Sequence, residues 1–207
     1  MQNSKLQFKI QNFKKTIRCQ YAFTLIELLV GMVILLSVGT IIISILFSSL
    51  RGANKTNTIT LVRQNGDYTI TQMTKTIRNA KSFNGVSNDG VNYSLVCSPS
   101  PGSYTFIKIT SLDGTQTAFS FSSCTSSSCP SSSLPPTIFS NANKLLDTSV
   151  CLVCTAPHEF TCSQQSASDG PTIGITFSLS ANTQSTLFEQ AAILPFSTTV
   201  SMRNIPR

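Results

Sequence analysis

The chain contains one histidine, His158, and only eight acidic residues among 207. A single imidazole following Pro157, with the acids scattered, leaves no nucleophile, base and orienting group to assemble. No glycine-rich phosphate loop follows a strand either. Hydrolytic and nucleotide chemistry therefore have no residues to run on, and no enzymatic activity is expected. A dense basic stripe is also missing. The formal net charge is +7, but Lys5, Lys9, Lys14, Lys15 and Arg18 supply five of the fifteen bases. Without them ten bases face eight acids, about +2, so the basic isoelectric point does not make nucleic acid an expected partner. Lys75, Arg78 and Lys81 are read as a solvated helix end.

The most telling absence is local. Leu28 to Leu50 is 23 residues without a charge or a proline, enough at about 1.5 Å per helical residue to cross a hydrocarbon core of about 30 Å. Ahead of it, residues 1–22 carry five positive charges and no acid, which holds that end on the cytoplasmic side and implies export of the rest. A secretory signal places its small-residue cleavage site after the apolar stretch. Here the small residue at the junction, Ala22, lies before it, so a cut would remove the basic leader and leave the membrane helix on the mature chain. One carboxylate, Glu27, stands at the edge of the run. A charge inside a membrane helix costs roughly 2.5–3.5 kcal/mol at the centre and is usually paired or functional.

The stretch Ala22-Phe23-Thr24-Leu25-Ile26-Glu27-Leu28-Leu29-Val30 resembles the processing and methylation signature of type IV prepilins and of type II secretion pseudopilins. The resemblance implies cleavage between Ala22 and Phe23 by a prepilin peptidase/N-methyltransferase, with Ala22 standing where the family usually has glycine. It further implies N-methylation of Phe23 and assembly with other pilin or pseudopilin subunits on an inner-membrane platform. Glu27 becomes the assembly residue, meeting the Phe23 amine of a neighbouring copy in a staggered bundle. Many major pilins of that family carry a helix-bending proline in this run, so its absence favours a minor pilin or pseudopilin. The helical stretch Arg63-Gln-Asn-Gly-Asp-Tyr68 with Met73 and Ile77-Arg78-Asn79-Ala80, and the end Phe196–Asn204, are similar to J-type minor pseudopilins and W-type minor pilins. The implied location is the cytoplasmic membrane and its lipid bilayer, single-pass with the C-terminal domain outside, followed by an extracytoplasmic filament. The competing readings are an unprocessed membrane-anchored binding domain, with Glu27 merely interfacial, and the major pilin subunit.

Beyond Arg51 the helical period persists through Ile59, Val62, Gly66, Ile70, Met73, Ile77 and Ala80, an amphipathic face on which a sheet can pack. One helix is expected from about Phe23 to Ser82, a rod of roughly 90 Å. The domains read as a leader at 1–22, a transmembrane and filament-core helix at 23–50, its amphipathic continuation at 51–83, and an exported domain at 84–207. That last part is rich in Ser, Thr, Asn, Gly and Pro. Short β-prone runs at Val91–Cys97, Tyr104–Thr110, Thr115–Phe121, Val150–Cys154, Thr172–Ser180 and Pro195–Arg203 predict an antiparallel sheet packed on the upper helix, an α+β fold. Asp113-Gly114 predicts a hairpin turn, and the serine- and proline-rich stretch Ser122–Pro136 a mobile surface loop.

Removal of the leader also removes Cys19. Six cysteines remain: Cys97, Cys124, Cys129, Cys151, Cys154 and Cys162. In an exported domain with a modest core they predict up to three disulfides, whose pairing sequence does not choose. Cys151-Leu-Val-Cys154 has redox-motif spacing but no βαβ surroundings. Cys151, Cys154, His158 and Cys162 approach a zinc-knuckle order with the last two gaps each one residue short. Disulfides are preferred to both, and neither a metal nor another cofactor is expected. His158 is read as an exposed loop residue.

Overall fold

The computed structural model describes residues 23–124, 129, 135–166, 169–182 and 192–203. It divides into two compact units, one ending at Leu46 and the other beginning at Phe47. One helix, α1, runs Leu25–Arg78. It stops short of the expected Ser82. Asn79 N–H still reaches the Lys75 carbonyl, but Ala80 N–H turns to Ile77 and Lys81 N–H donates to Thr110 of the sheet, at 2.7 Å. Pairing with a strand overrides helical propensity there, and the next residues, through Asn84-Gly85, lie inside a strand with an irregular register between Phe83 and Gly85.

In the second unit α1 buries Val62, Gly66, Thr69, Met73 and Ile77. Their spacing of three and four residues lines up one helical face. Ile59 and Ile70 of the expected stripe sit at its half-buried margin. Thr69 lies on the central line instead.

Ten strands follow among the described residues: β1 Ser82–Ser87, β2 Gly102–Tyr104, β3 Phe106–Thr110, β4 Gln116–Phe121 and β5 Ile138–Ser140. Then come β6 Asn143–Lys144, β7 Val150–Leu152, β8 Glu159–Ser163, β9 Thr172–Ala181 and β10 Ile193–Ser201. They form two antiparallel sheets rather than one. The first has the order β1-β3-β4-β5-β6 and the second β10-β9-β8-β2, with β7 also pairing β9. The expected run Tyr104–Thr110 is divided between them: Tyr104 pairs with Phe160 in the second sheet and Phe106 with Ser87 and Ser120 in the first. Ile107 and Ile109 point inward as the alternation requires. The turn at Asp113-Gly114 forms as expected, with Gly114 at φ 85° and the Asp113 carboxylate accepting from Thr115 N–H at 3.0 Å.

Val91–Cys97 does not make a strand. Its backbone meets the first sheet at an isolated Val86–Ser94 bridge, because Asp89 diverts the chain into a turn. Conversely β8 was not anticipated, although Glu159-Phe-Thr-Cys-Ser163 alternates, with Phe160 and Cys162 buried. Phe119, Phe160 and Phe177 are the largest fully buried side chains, joined in the core by Met73 and Ile77 from the helix. Most of the Ser122–Pro136 stretch lies outside the described residues.

Candidate functional site

At the start of α1, Thr24 is the capping residue. Its Oγ1 accepts a hydrogen bond from Glu27 N–H at 3.3 Å, while its carbonyl accepts from Glu27 and Leu28 N–H at 3.1 and 3.2 Å. Thr24-x-x-Glu27 has the spacing of a capping box, the side chain of the first residue satisfying the amide of the fourth. That spacing is visible in the sequence, embedded in the larger motif Ala22–Val30. Glu27 thus lies in the first turn, where the positive end of the helix dipole favours a carboxylate. Phe23 precedes the cap and is exposed; Ala22 falls outside the described residues.

From Leu25 to Leu50 the helix is apolar on every side and unburied: Leu25, Ile26, Leu28, Leu29 and Val30 are all exposed, as are the large side chains through Leu50. A helix apolar all round belongs in lipid or in the core of an assembly. This one is long and apolar enough to cross a membrane. Three of its hydroxyls are satisfied within the helix, Ser37 donating to Ile34 O, Thr40 to Ser37 O and Ser44 to Thr40 O, each at 2.8 Å. Such back-bonding removes the cost of an unpaired hydroxyl in hydrocarbon. Glu27 is the one ionisable side chain from Phe23 to Leu50.

In the second unit all six expected cysteines are paired: Cys97 with Cys162, Cys124 with Cys154 and Cys129 with Cys151, at Cα separations of 5.6, 5.6 and 6.3 Å. These separations suit disulfides. The C-x2-C-x3-H-x3-C order is thereby distributed, its three cysteines bonding to partners outside the run. His158 is half-buried rather than exposed. Its Nδ1 is 3.0 Å from the Ala156 carbonyl, its Nε2 3.8 Å from Cys124 Sγ, and its ring meets Phe121 edge-on at 6.0 Å.

Lys75 and Arg78 occupy the last turn of α1, where cations oppose the negative end of the dipole. Arg203 N–H closes on the Arg78 carbonyl at 3.1 Å. The turn after β1 is organised by Asp89. Its carboxylate accepts from Ser87 Oγ–H and from Val91 and Asn92 N–H, at 2.6, 2.9 and 2.8 Å, and from the Asn92 amide at 2.7 Å. The Ser87 bond foremost, then these amides, hold the carboxyl far below the usual carboxylate range. Val91, Leu95 and Val96 are exposed on this loop.

The family model described as the prokaryotic N-terminal methylation motif matches residues 17–49. The chain therefore carries the signature of type IV prepilin-like and pseudopilin-like proteins. This motif implies processing by a prepilin peptidase, and with the apolar helix it makes the N-terminal segment a membrane anchor. No curated protein and no solved structure matches the chain.

Proposed function

We propose that this prepilin-like chain is a minor pilin or pseudopilin, cut between Ala22 and Phe23 and built into a type IV pilus-like or type II secretion-like filament through its N-terminal helix. The observation that carries the reading is Glu27. It is the single ionisable side chain of the helical stretch from Leu25 to Leu50, which is exposed and apolar on every side, and it lies one turn behind the residue that becomes the amino terminus. In a bundle of copies a neighbour's Phe23 ammonium would neutralise it and select one axial register. The work is mechanical rather than enzymatic. The membrane platform holds the subunit until polymerisation, and the disulfide-braced unit then faces outward from an extracytoplasmic filament.

The test is intact mass and N-terminal sequencing of protein recovered from membranes of its own host. A mature chain beginning at N-methylated Phe23 supports the reading. A chain retaining residues 1–22 would replace it with an unprocessed anchored domain, for which the Thr24 cap already gives the Glu27 backbone a local partner. Copy number in purified filaments separates a minor from a major subunit.

A further inference from the structure

The three disulfides differ in their surroundings. Cys97 and Cys162 are both buried, and Cys97 N–H is held by the buried Gln164 side chain at 3.2 Å. In the Cys129–Cys151 bridge Cys151 is fully buried and Cys129 half-buried. Cys124–Cys154 is the bridge with both of its cysteines half-buried, which leaves it the most open of the three to a reagent from solvent. It joins the chain just beyond β4, in the first sheet, to the chain just beyond β7, in the second.

This bridge also has a neighbour of particular chemistry. A carbonyl only accepts, so the 3.0 Å contact to Ala156 places the hydrogen of His158 on Nδ1. The other nitrogen, Nε2, then presents its lone pair toward Cys124 Sγ at 3.8 Å, and Phe121 restrains the ring from its edge. Once protonated, Nε2 becomes a donor aimed at that sulfur. An imidazolium beside a thiolate stabilises it, and a stabilised thiolate is the better leaving group in disulfide exchange.

We propose that Cys124–Cys154 is a thiol–disulfide exchange site, with His158 facing the leaving sulfur, and that its reaction partner is a dithiol such as the reduced pair of a thiol oxidoreductase. A thiolate of the partner attacks Cys154 Sγ. The Sγ–Sγ bond breaks and its electron pair leaves on Cys124 Sγ, while the proton given up by the attacking thiol is taken from solvent by His158 Nε2, which pairs with the new thiolate. The partner's second thiolate then attacks the mixed disulfide, Cys154 leaves and is protonated by water, and the partner departs oxidised. Two electrons pass to the bridge. The Cys97–Cys162 and Cys129–Cys151 bonds remain, so opening frees one tie between the sheets without unfastening the unit.

The test uses the full oxidised chain in detergent, with Cys19, which lies outside the three bridges, blocked by alkylation beforehand; it is exposed to limiting dithiothreitol, quenched at intervals with a second alkylating reagent and mapped by peptide mass. Cys124 and Cys154 should be alkylated together before the other four cysteines. Another bridge opening first, or all six labelling at once, would overturn the proposal. His158→Phe keeps a ring against Phe121 but removes the nitrogen, and should slow opening of this bridge by about tenfold while Cys97 and Cys162 stay protected. An unchanged or faster rate removes His158 from the step. If that variant exposes Cys97 and Cys162, carbethoxylation of the folded wild type gives the same measurement, because His158 is the chain's one histidine: slowing supports its role and no change refutes it.

Discussion

The ring of Phe196 on β10 lies over the bare Cα of Gly66 on α1, in the volume that any side chain at residue 66 would occupy. Phe196 in turn stacks on the buried Phe177, centroids 5.4 Å apart. The glycine gives up about 1 kcal/mol of helix propensity relative to alanine so that strand and helix can approach closely. Gly66→Ala should therefore lower stability by roughly 1–3 kcal/mol despite its better propensity, because the ring is displaced. Phe196→Leu combined with Gly66→Ala should recover part of that loss. Thermal unfolding of the four chains in detergent, read as a double-mutant cycle, checks it; simple additivity would mean the ring moves aside freely.

Asp89 makes a pH prediction whose sign is fixed by its hydrogen bonds. Its folded-state pKa lies below the ordinary 3.8, so the contribution is fully present above that value and disappears as pH falls through the folded-state value. Asp113 and Asp147 are shifted the same way, foremost by the Thr115 side chain and the Ser149 amide respectively. Wild type should be more stable than Asp89→Asn at pH 6. The gap should narrow as the pH is taken down through 4 toward 2, in stability measured by chemical denaturation. A gap that widened on acidification would contradict the assignment.

The helix was legible because its signals are periodic and strong: no proline, one apolar run, then Val62, Gly66, Met73 and Ile77 on one face. Hairpins also announced themselves where alternation met a turn residue, as at Asp113-Gly114. What sequence could not supply was the second sheet. Nothing in Tyr104-Thr-Phe106 signals that neighbouring residues pair in different sheets. The change is made by non-local bonds, Thr105 N–H donating to Ser87 O and Asn88 Oδ1 while its carbonyl receives Phe121 N–H. Asp89 likewise defeated the β propensity of Val91–Val96, since one carboxylate collecting local amides competes directly with a strand ladder. For the candidate site the motif was complete in sequence, whereas the positioning of His158 against Cys124 depends on residues 34 apart.

The buried Cys97–Cys162 bridge closes a loop with a sequence separation of 65. In the chain-entropy account, a closure of that length contributes about 4 kcal/mol. Replacing both cysteines by alanine should lower the stability of the oxidised chain by roughly 2–4 kcal/mol in denaturant titration. The other two bridges should persist, since neither shares a partner with this one. Mass mapping of Cys124 with Cys154 and of Cys129 with Cys151 verifies that no reshuffling has occurred; a loss near zero would mean that the unfolded chain gains little freedom from the cut.

Glu27 separates insertion from assembly. Glu27→Gln removes the only charge of the apolar segment, so membrane insertion should be unchanged or easier. The Thr24 cap bonds to the residue 27 backbone amide and should survive. In the proposed filament, however, a neighbour's Phe23 ammonium loses its counter-charge. Hydrogen bonds to charged groups contribute about 1.5–3 kcal/mol, and each 1.4 kcal/mol is about tenfold in an equilibrium. Incorporation of the variant should therefore fall by about tenfold or more, with Glu27→Asp intermediate because it keeps the charge on a shorter reach. The measurement is the ratio of a tagged copy in sheared filaments to that in membranes, with wild type co-expressed. Equal ratios for Gln and Glu would leave the carboxylate with a role confined to its own helix end.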